Sequence, residues 1–251
     1  MNRLSKRRVL LTISYDGTNY CGWQKQPGET VQTVQGEFDG VCSKLFQTKI
    51  VSIGAGRTDA GVHALGQRAV IDIDSAIPTQ KIPLALNGFL PSDIVVTAAA
   101  EVPYDFNPRF KAVKKTYEYK IYNSSFRNPI YRNYSEYARE PLNASKMNIA
   151  AKALIGTHDF KSFCSSGNSS KTTVRTIFDI SVDQKNDFII TTVTGDGFLY
   201  NMVRIIAGTL IDVGNGKLQP DEIKGIIASC DRRKAGKTAG PSGLTLVEIV
   251  Y

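Results

Sequence analysis

The stretch Gly54–Gln67, GAGRTDAGVHALGQ, sets Arg57, Thr58 and Asp59 between two pairs of glycines and then runs straight into a strand-like segment. Glycine at this density marks a tight turn or a backbone that comes close to a ligand. Three readings compete: a phosphate-cradling loop, a plain turn, and a loop that presents one carboxylate for chemistry. Spacing removes the first. A dinucleotide fingerprint begun at Gly54 and Gly56 needs glycine where Asp59 stands, and a P-loop on Gly56 and Gly61 needs Lys and Ser or Thr where Val62 and His63 stand. Asp59 would also repel a phosphate.

Outward from this loop the chain alternates strands and helices. Arg8–Tyr15 reads as a strand with Val9, Leu11 and Ile13 on one face. Thr30 is placed to cap a helix whose Val31, Val34, Phe38, Val41 and Leu45 recur at helical spacing. Strands at Ile50–Ile53 and Arg68–Asp74 flank the loop, a short helix covers Ile82–Leu90, and a strand follows at Ile94–Thr97. The order β-α-β-β-α-β is ferredoxin-like.

The second half repeats the pattern. Lys115–Tyr122, KTYEYKIY, alternates Tyr117, Tyr119 and Ile121 against Glu118, Lys120 and Tyr122. Asn143 caps a helix carrying Met147, Ala150, Ala151 and Leu154, closed by Gly156. A hairpin joins Val174–Val182 to Phe188–Thr194, helices cover Phe198–Val213 and Asp221–Cys230, and Leu244–Tyr251 ends as a strand. The expected architecture is α+β. Two ferredoxin- or RRM-like halves, residues 1–110 and 111–251, carry mainly antiparallel sheets that flank a central cleft. The first half bears the Asp59 loop, the seam falls near Pro108–Lys114, and the cleft is the expected substrate site.

Composition narrows the partner. Lys plus Arg number 31 against 23 Asp plus Glu, for a formal charge of +8, which fits a polyanion. Four scattered cysteines form no CxxC pair, so neither a zinc knuckle nor a thioredoxin-like site is supported, and reduced thiols of a cytoplasmic protein are expected. The apolar run Val9–Ile13 is too short for a signal core, and nothing approaches the roughly 18 apolar residues of a membrane span.

Metal and triad chemistry find little support. His63 and His158 are the only histidines, without HxH or HxxxH spacing, and no GxSxG is present. His63 reads as a turn residue and His158 as a cap before Phe160. Asp59, with Arg57 beside it, is the remaining candidate for chemistry; an Asx-turn is the plain alternative.

Six ordered blocks bear on that choice: YDGTNYCGWQ at Tyr15–Gln24, TVQ at Thr33–Gln35, the Gly54–Gln67 loop, KTYEYKI at Lys115–Ile121, GTHDFKSF at Gly156–Phe163 and GFLYNMVRIIAGTL at Gly197–Leu210. Together they resemble the pseudouridine synthase A (TruA) family over nearly the whole chain. One departure stands out: the family's Pro-x-His-Gly-Leu run is matched by Gly240-Pro241-Ser242-Gly243-Leu244, with Ser242 at the His position.

The resemblance implies the pseudouridine synthase fold and a homodimeric, cytoplasmic isomerase. Its expected reaction converts uridine to pseudouridine in the anticodon stem-loop of tRNA, at tRNA positions 38 to 40, with no metal or other cofactor. It implies that Asp59 is the catalytic carboxylate, that Arg204 is its cationic partner, that Tyr117 contacts the uracil, and that Arg57 fills the space of a flipped base. Lys6, Arg7, Arg8, Lys111, Lys114, Lys115, Arg232, Arg233, Lys234 and Lys237 are expected among the phosphate contacts. A non-catalytic RNA-binding protein is the alternative, although the RRM aromatic signature is missing. A nucleoside glycosidase is a third reading, opposed by the basic charge.

Overall fold

Val9, Leu11 and Ile13, the alternate apolar residues of β1 (Arg7–Tyr15), are all fully buried. This computed structural model describes residues 6–26, 31–167 and 170–251, and the chain divides into two units. The first is Met1–Val113 with Leu246–Tyr251, and the second is Lys114–Thr245.

In the first unit α1 (Val34–Phe46) is capped by Thr33, whose Oγ1 accepts the Gly36 N–H at 3.2 Å. The expected cap, Thr30, lies outside the described residues. The later start has a tertiary cause: the amides of Val34 and Gln35 donate to the carbonyls of Gly22 and Trp23, satisfying N–H groups that every helix start leaves open. Val34, Phe38 and Cys42 form the buried stripe.

The strand expected at Ile50–Ile53 shrinks to β2 (Ile53–Gly54), because side chains of α1 take over its ladder. Ser43 Oγ accepts Ile50 N–H at 2.9 Å, Asp39 Oδ1 accepts Ser52 N–H at 3.0 Å, and Gln35 Nε2 donates to Ser52 O at 2.8 Å. Next come β3 (His63–Ile73), a 3-10 turn (Thr79–Lys81), α2 (Ile82–Asn87) and β4 (Ile94–Val102). β1 pairs antiparallel with both β3 and β4, and β2 pairs with β3, the strand order of a ferredoxin-like sheet. A single helical turn, α3 (Pro108–Lys111), lies at the expected seam.

The second unit opens with β5 (Lys114–Asn123), whose Tyr117, Tyr119 and Ile121 are buried. A short strand, β6 (Glu136–Ala138), runs parallel to its end. Asn143 Oδ1 caps α4 (Ala144–Lys152) by accepting Lys146 N–H at 2.9 Å. Gly156, at φ +109°, begins β7 (Gly156–Asp159) instead of closing α4. β8 (Val174–Lys185) and β9 (Phe188–Gly195) form the hairpin, turned at Asn186 with φ 52°, and the antiparallel order is β5-β9-β8-β7.

The next helix, α5 (Met202–Gly214), starts four residues later than its apolar pattern suggests. Asn201 holds φ 60°, a left-handed conformation that asparagine tolerates, and this breaks the helix before Met202. Almost every α5 residue is buried, so the helix is a core element with apolar surface all round. After α6 (Glu222–Ser229), β10 (Leu244–Val250) returns beside β3, and from Leu246 onward the chain belongs to the first unit. Among the described residues no helix is long and apolar enough to cross a membrane.

Burial raises the phenol pKa of Tyr15, Tyr119 and Tyr251 above its ordinary 10.0. In the unfolded chain these groups ionise near pH 10 while the native forms keep their protons. The native state then binds more protons, so stability must fall as pH rises from about 10. Urea midpoints measured from pH 9 to 11 should decline; a flat profile would contradict the burial of these phenols.

Candidate active site

The loop carrying Asp59 is built against the segment Tyr15–Trp23. Tyr15, at the end of β1, is 4% exposed and stacks on fully buried Trp23 with ring centroids 5.9 Å apart. Its hydroxyl lies 2.7 Å from Thr58 Oγ1, and Gln67 is a second hydrogen-bond partner. Gln67, itself fully buried, donates from Nε2 to Gly56 O at 3.0 Å. One phenol therefore ties together both limbs of the loop.

The backbone is fixed on each side of Asp59 as well. Thr58 O accepts Trp23 N–H at 3.2 Å, Gly61 N–H donates to Tyr20 O at 3.1 Å, and Asp59 O closes a turn by accepting Val62 N–H at 3.1 Å. Gly61, at φ +76°, supplies the left-handed residue of that turn. Gly22 has φ +83°, and a Cβ there would clash with Thr58 O; one at Gly17 would clash with Val62 O. The glycines of YDGTNYCGW thus let one main chain lie directly on another.

On this frame Thr58 is buried, Asp59 half-buried and Arg57 exposed. Arg57 and Asp59 share the loop, as the sequence implies. His63 is not a turn residue: it begins β3, is 6% exposed, and its Nδ1 accepts Gly17 N–H at 3.1 Å. His158 lies in β7 with Nε2 2.9 Å from Ile155 O.

The other two predicted site residues belong to the second unit. Tyr117 is 7% exposed on β5, paired in register with Val193, and meets Phe198 edge-to-face at 5.1 Å. Arg204 sits in the first turn of α5, half-buried, as the polar residue of an otherwise apolar turn. Its Nε donates to Ala239 O at 2.8 Å and its Nη1 to Asn201 Oδ1 at 2.9 Å. It is no solvated arginine. Arg232, expected among the phosphate contacts, donates to Ala235 O, Gly236 O and Thr238 Oγ1, and the exposed Arg233, expected there too, pairs with Asp231 at 2.8 Å.

Tyr15, Thr58 and Gln67 are the site residues that sequence reasoning passed over. Tyr15 stands in the YDGT block and Thr58 and Gln67 in the Gly54–Gln67 loop, but the Tyr15–Thr58 pairing spans 43 residues and leaves no local pattern. Among the described residues no three His, Cys, Asp or Glu side chains gather as a metal cluster.

The first unit thus clamps one acidic turn, and the second, taken by itself, holds one arginine by fixed bonds. Residues 11–111 and 150–251 match the family model described as tRNA pseudouridine synthase, and the chain belongs to that family. It is 51% identical over 98% of its length to tRNA pseudouridine synthase A of Caldicellulosiruptor saccharolyticus, all of which is covered. Over the same share it is 48% identical to tRNA pseudouridine synthase A 2 of Clostridium tetani, 99% covered, and 47% identical to tRNA pseudouridine synthase A of Thermoanaerobacter sp. strain X514, wholly covered.

Tyr15→Phe keeps the stack on Trp23 but strands the Thr58 hydroxyl in a buried site. The expected cost is about 1–3 kcal/mol of stability, together with a drop in kcat that exceeds any change in KM. Denaturant unfolding and steady-state kinetics on tRNA measure both, and wild-type values for each would remove the phenol from the site's support.

Proposed function

We propose that this tRNA pseudouridine synthase isomerises uridine in the anticodon stem-loop of tRNA, with Asp59 as the catalytic carboxylate. The observation that supports this reading is the fixation of both flanks of Asp59, by the Tyr15–Thr58 pair on one side and the Gly61–Tyr20 amide bond on the other. A plain surface turn needs no such immobilisation; a group that must meet a reacting carbon does.

The reaction exchanges one bond for another within a single nucleotide. The N1–C1′ bond breaks, the uracil turns, and C5–C1′ forms while the C5 proton leaves and N1 gains one. Atoms and charge balance without oxidant, nucleotide or metal. A carboxylate suits it by attacking C1′ or by stabilising positive charge that develops on the sugar. Glycosidases need a second carboxyl group to direct water, but here the leaving base is also the returning nucleophile. Tyr117 contacts the uracil, Arg204 supplies the cation that keeps the carboxylate ionised, and Arg57 takes the place of the flipped base. The working species is a cytoplasmic homodimer, a state that light scattering measures directly.

Asp59→Asn keeps the size and turn chemistry of the residue and removes its charge. With tRNA tritiated at uracil C5 and enzyme in excess, the wild type should release tritium and Asp59→Asn none, with melting and tRNA affinity retained. Conversion within a few-fold of wild type by a folded variant would make Asp59 an Asx-turn residue. Absence of tritium release from the wild type itself would favour the RNA-binding alternative.

Tyr117→Phe separates stacking from hydroxyl chemistry at the same site. It should bind tRNA as the wild type does and turn over roughly a hundredfold more slowly, within the usual span of acid–base contributions. Unaltered single-turnover rates would reduce Tyr117 to packing against Phe198.

A further inference from the structure

Besides its bond to Asn201, Arg204 binds the carbonyl of the Ala239–Gly240 peptide, and that peptide is gripped from behind. Ala239 O accepts the Nε–H of Arg204 at 2.8 Å, and Ala239 N–H returns a bond to Arg204 O at 3.1 Å. The N–H on the far side of the same Ala239–Gly240 peptide bond donates to Glu136 Oε2 at 3.0 Å. Gly240 O in turn accepts the Tyr119 hydroxyl at 2.8 Å, and that hydroxyl lies 3.4 Å from the same carboxylate oxygen. Tyr119 is fully buried, and its phenol is raised by burial first and by the Glu136 charge second. A Cβ at Gly240 would clash with Glu136 Oε2, so only glycine admits the carboxylate this close. The neighbouring turn is fixed where the family histidine is replaced: Ser242 Oγ donates to Ser135 O at 3.2 Å, next to Glu136 in sequence.

We infer that Glu136 is a positioning residue for Arg204, acting through the Ala239–Gly240 peptide. A guanidinium at one end of the peptide and a carboxylate at the other polarise it in the same sense. Each bond strengthens its neighbour, and both are charge-assisted. The chain Arg204–peptide–Glu136 fixes the plane of the guanidinium without bringing the carboxylate into contact with it. Relayed through the peptide, the Glu136 charge orients the guanidinium from the Ala239 side. This inference rests on the proposed role of Arg204 in the reaction.

Glu136→Gln retains an acceptor for Gly240 N–H and loses the charge, whereas Glu136→Ala loses both. Misplacement of a reacting group on the ångström scale costs about a hundredfold. The expected fall in kcat is therefore roughly tenfold for Gln and up to about a hundredfold for Ala, with KM for tRNA unchanged. Arg204→Lys has no Nε–H to donate to Ala239 O, so adding Glu136→Gln to it should lower kcat no further. Independently of turnover, the Arg204 Nε–H resonance, assigned by its loss in Arg204→Lys, should shift in both Glu136 variants. Equal losses in the wild-type and Arg204→Lys backgrounds, or an unmoved Nε–H resonance, would overturn the inference. Should Arg204→Lys alone turn over like the wild type, the catalytic reading of Arg204 fails, and the resonance still decides whether Glu136 orients it.

Discussion

Main chain lying on main chain is the constraint from which the acidic turn follows. Gly17 and Gly22 admit the carbonyls of Val62 and Thr58 where any side chain would clash, and Gly54 admits the indole of Trp23 in the same way. Main-chain contacts of this kind have no rotamers to lose, so backbone geometry fixes the turn together with the side-chain bonds of Tyr15 and Gln67. The second unit uses the same device. A Cβ at Gly208 of α5 would clash with Lys237 O, and one at Gly236 would lie 2.6 Å from Thr209 N. The Gly236 amide bonds Thr209 Oγ1 at 2.9 Å, so the connector that reaches Ala239 is pressed onto the helix bearing Arg204. In both units, glycines let these segments pack directly against neighbouring main chain.

That explains how much of the molecule was legible beforehand. Strands with strict alternation, such as β1 and β5, stand where the pattern put them, because burial of one face sets both period and register. Elements went astray where tertiary bonds replaced local ones. The strand before the loop lost its ladder to Ser43, Asp39 and Gln35, and the start of α1 is set by the Gly22 and Trp23 carbonyls. The apolar pattern of α5 extends back to Phe198, yet a single left-handed asparagine decides where the helix begins.

The candidate site divides along the same line. Asp59 could be singled out from the glycines around it, although spacing alone left it open between turn and chemistry. Its supports could not, since Tyr15 reaches Thr58 across 43 residues and Glu136 reaches Gly240 across 104. Periodicity carries information over a few turns of chain, and these bonds are set only when the sheets have formed. Arg204 shows the limit from the other side. In sequence it is one basic residue in an apolar stretch, as a solvated arginine would be, and its bonds to Ala239 and Asn201 distinguish the two.

The residues expected among the phosphate contacts differ in how far the protein engages them. Arg7 binds Glu101, Thr79 and the carbonyls of Ser75 and Ile77; Arg8 binds Asp72 and Phe106 O; Arg232 and Arg233 are engaged within their own connector. Lys6, Lys111, Lys114, Lys234 and Lys237 are exposed. The physical chemistry of the two side chains accounts for this. A planar guanidinium with five donors can satisfy several carbonyls at once and sheds water readily, whereas an ammonium on a flexible stem favours full hydration. Arg7, Arg8 and Arg232 therefore bind neighbouring carbonyls and side chains, while these lysines keep their charge in water.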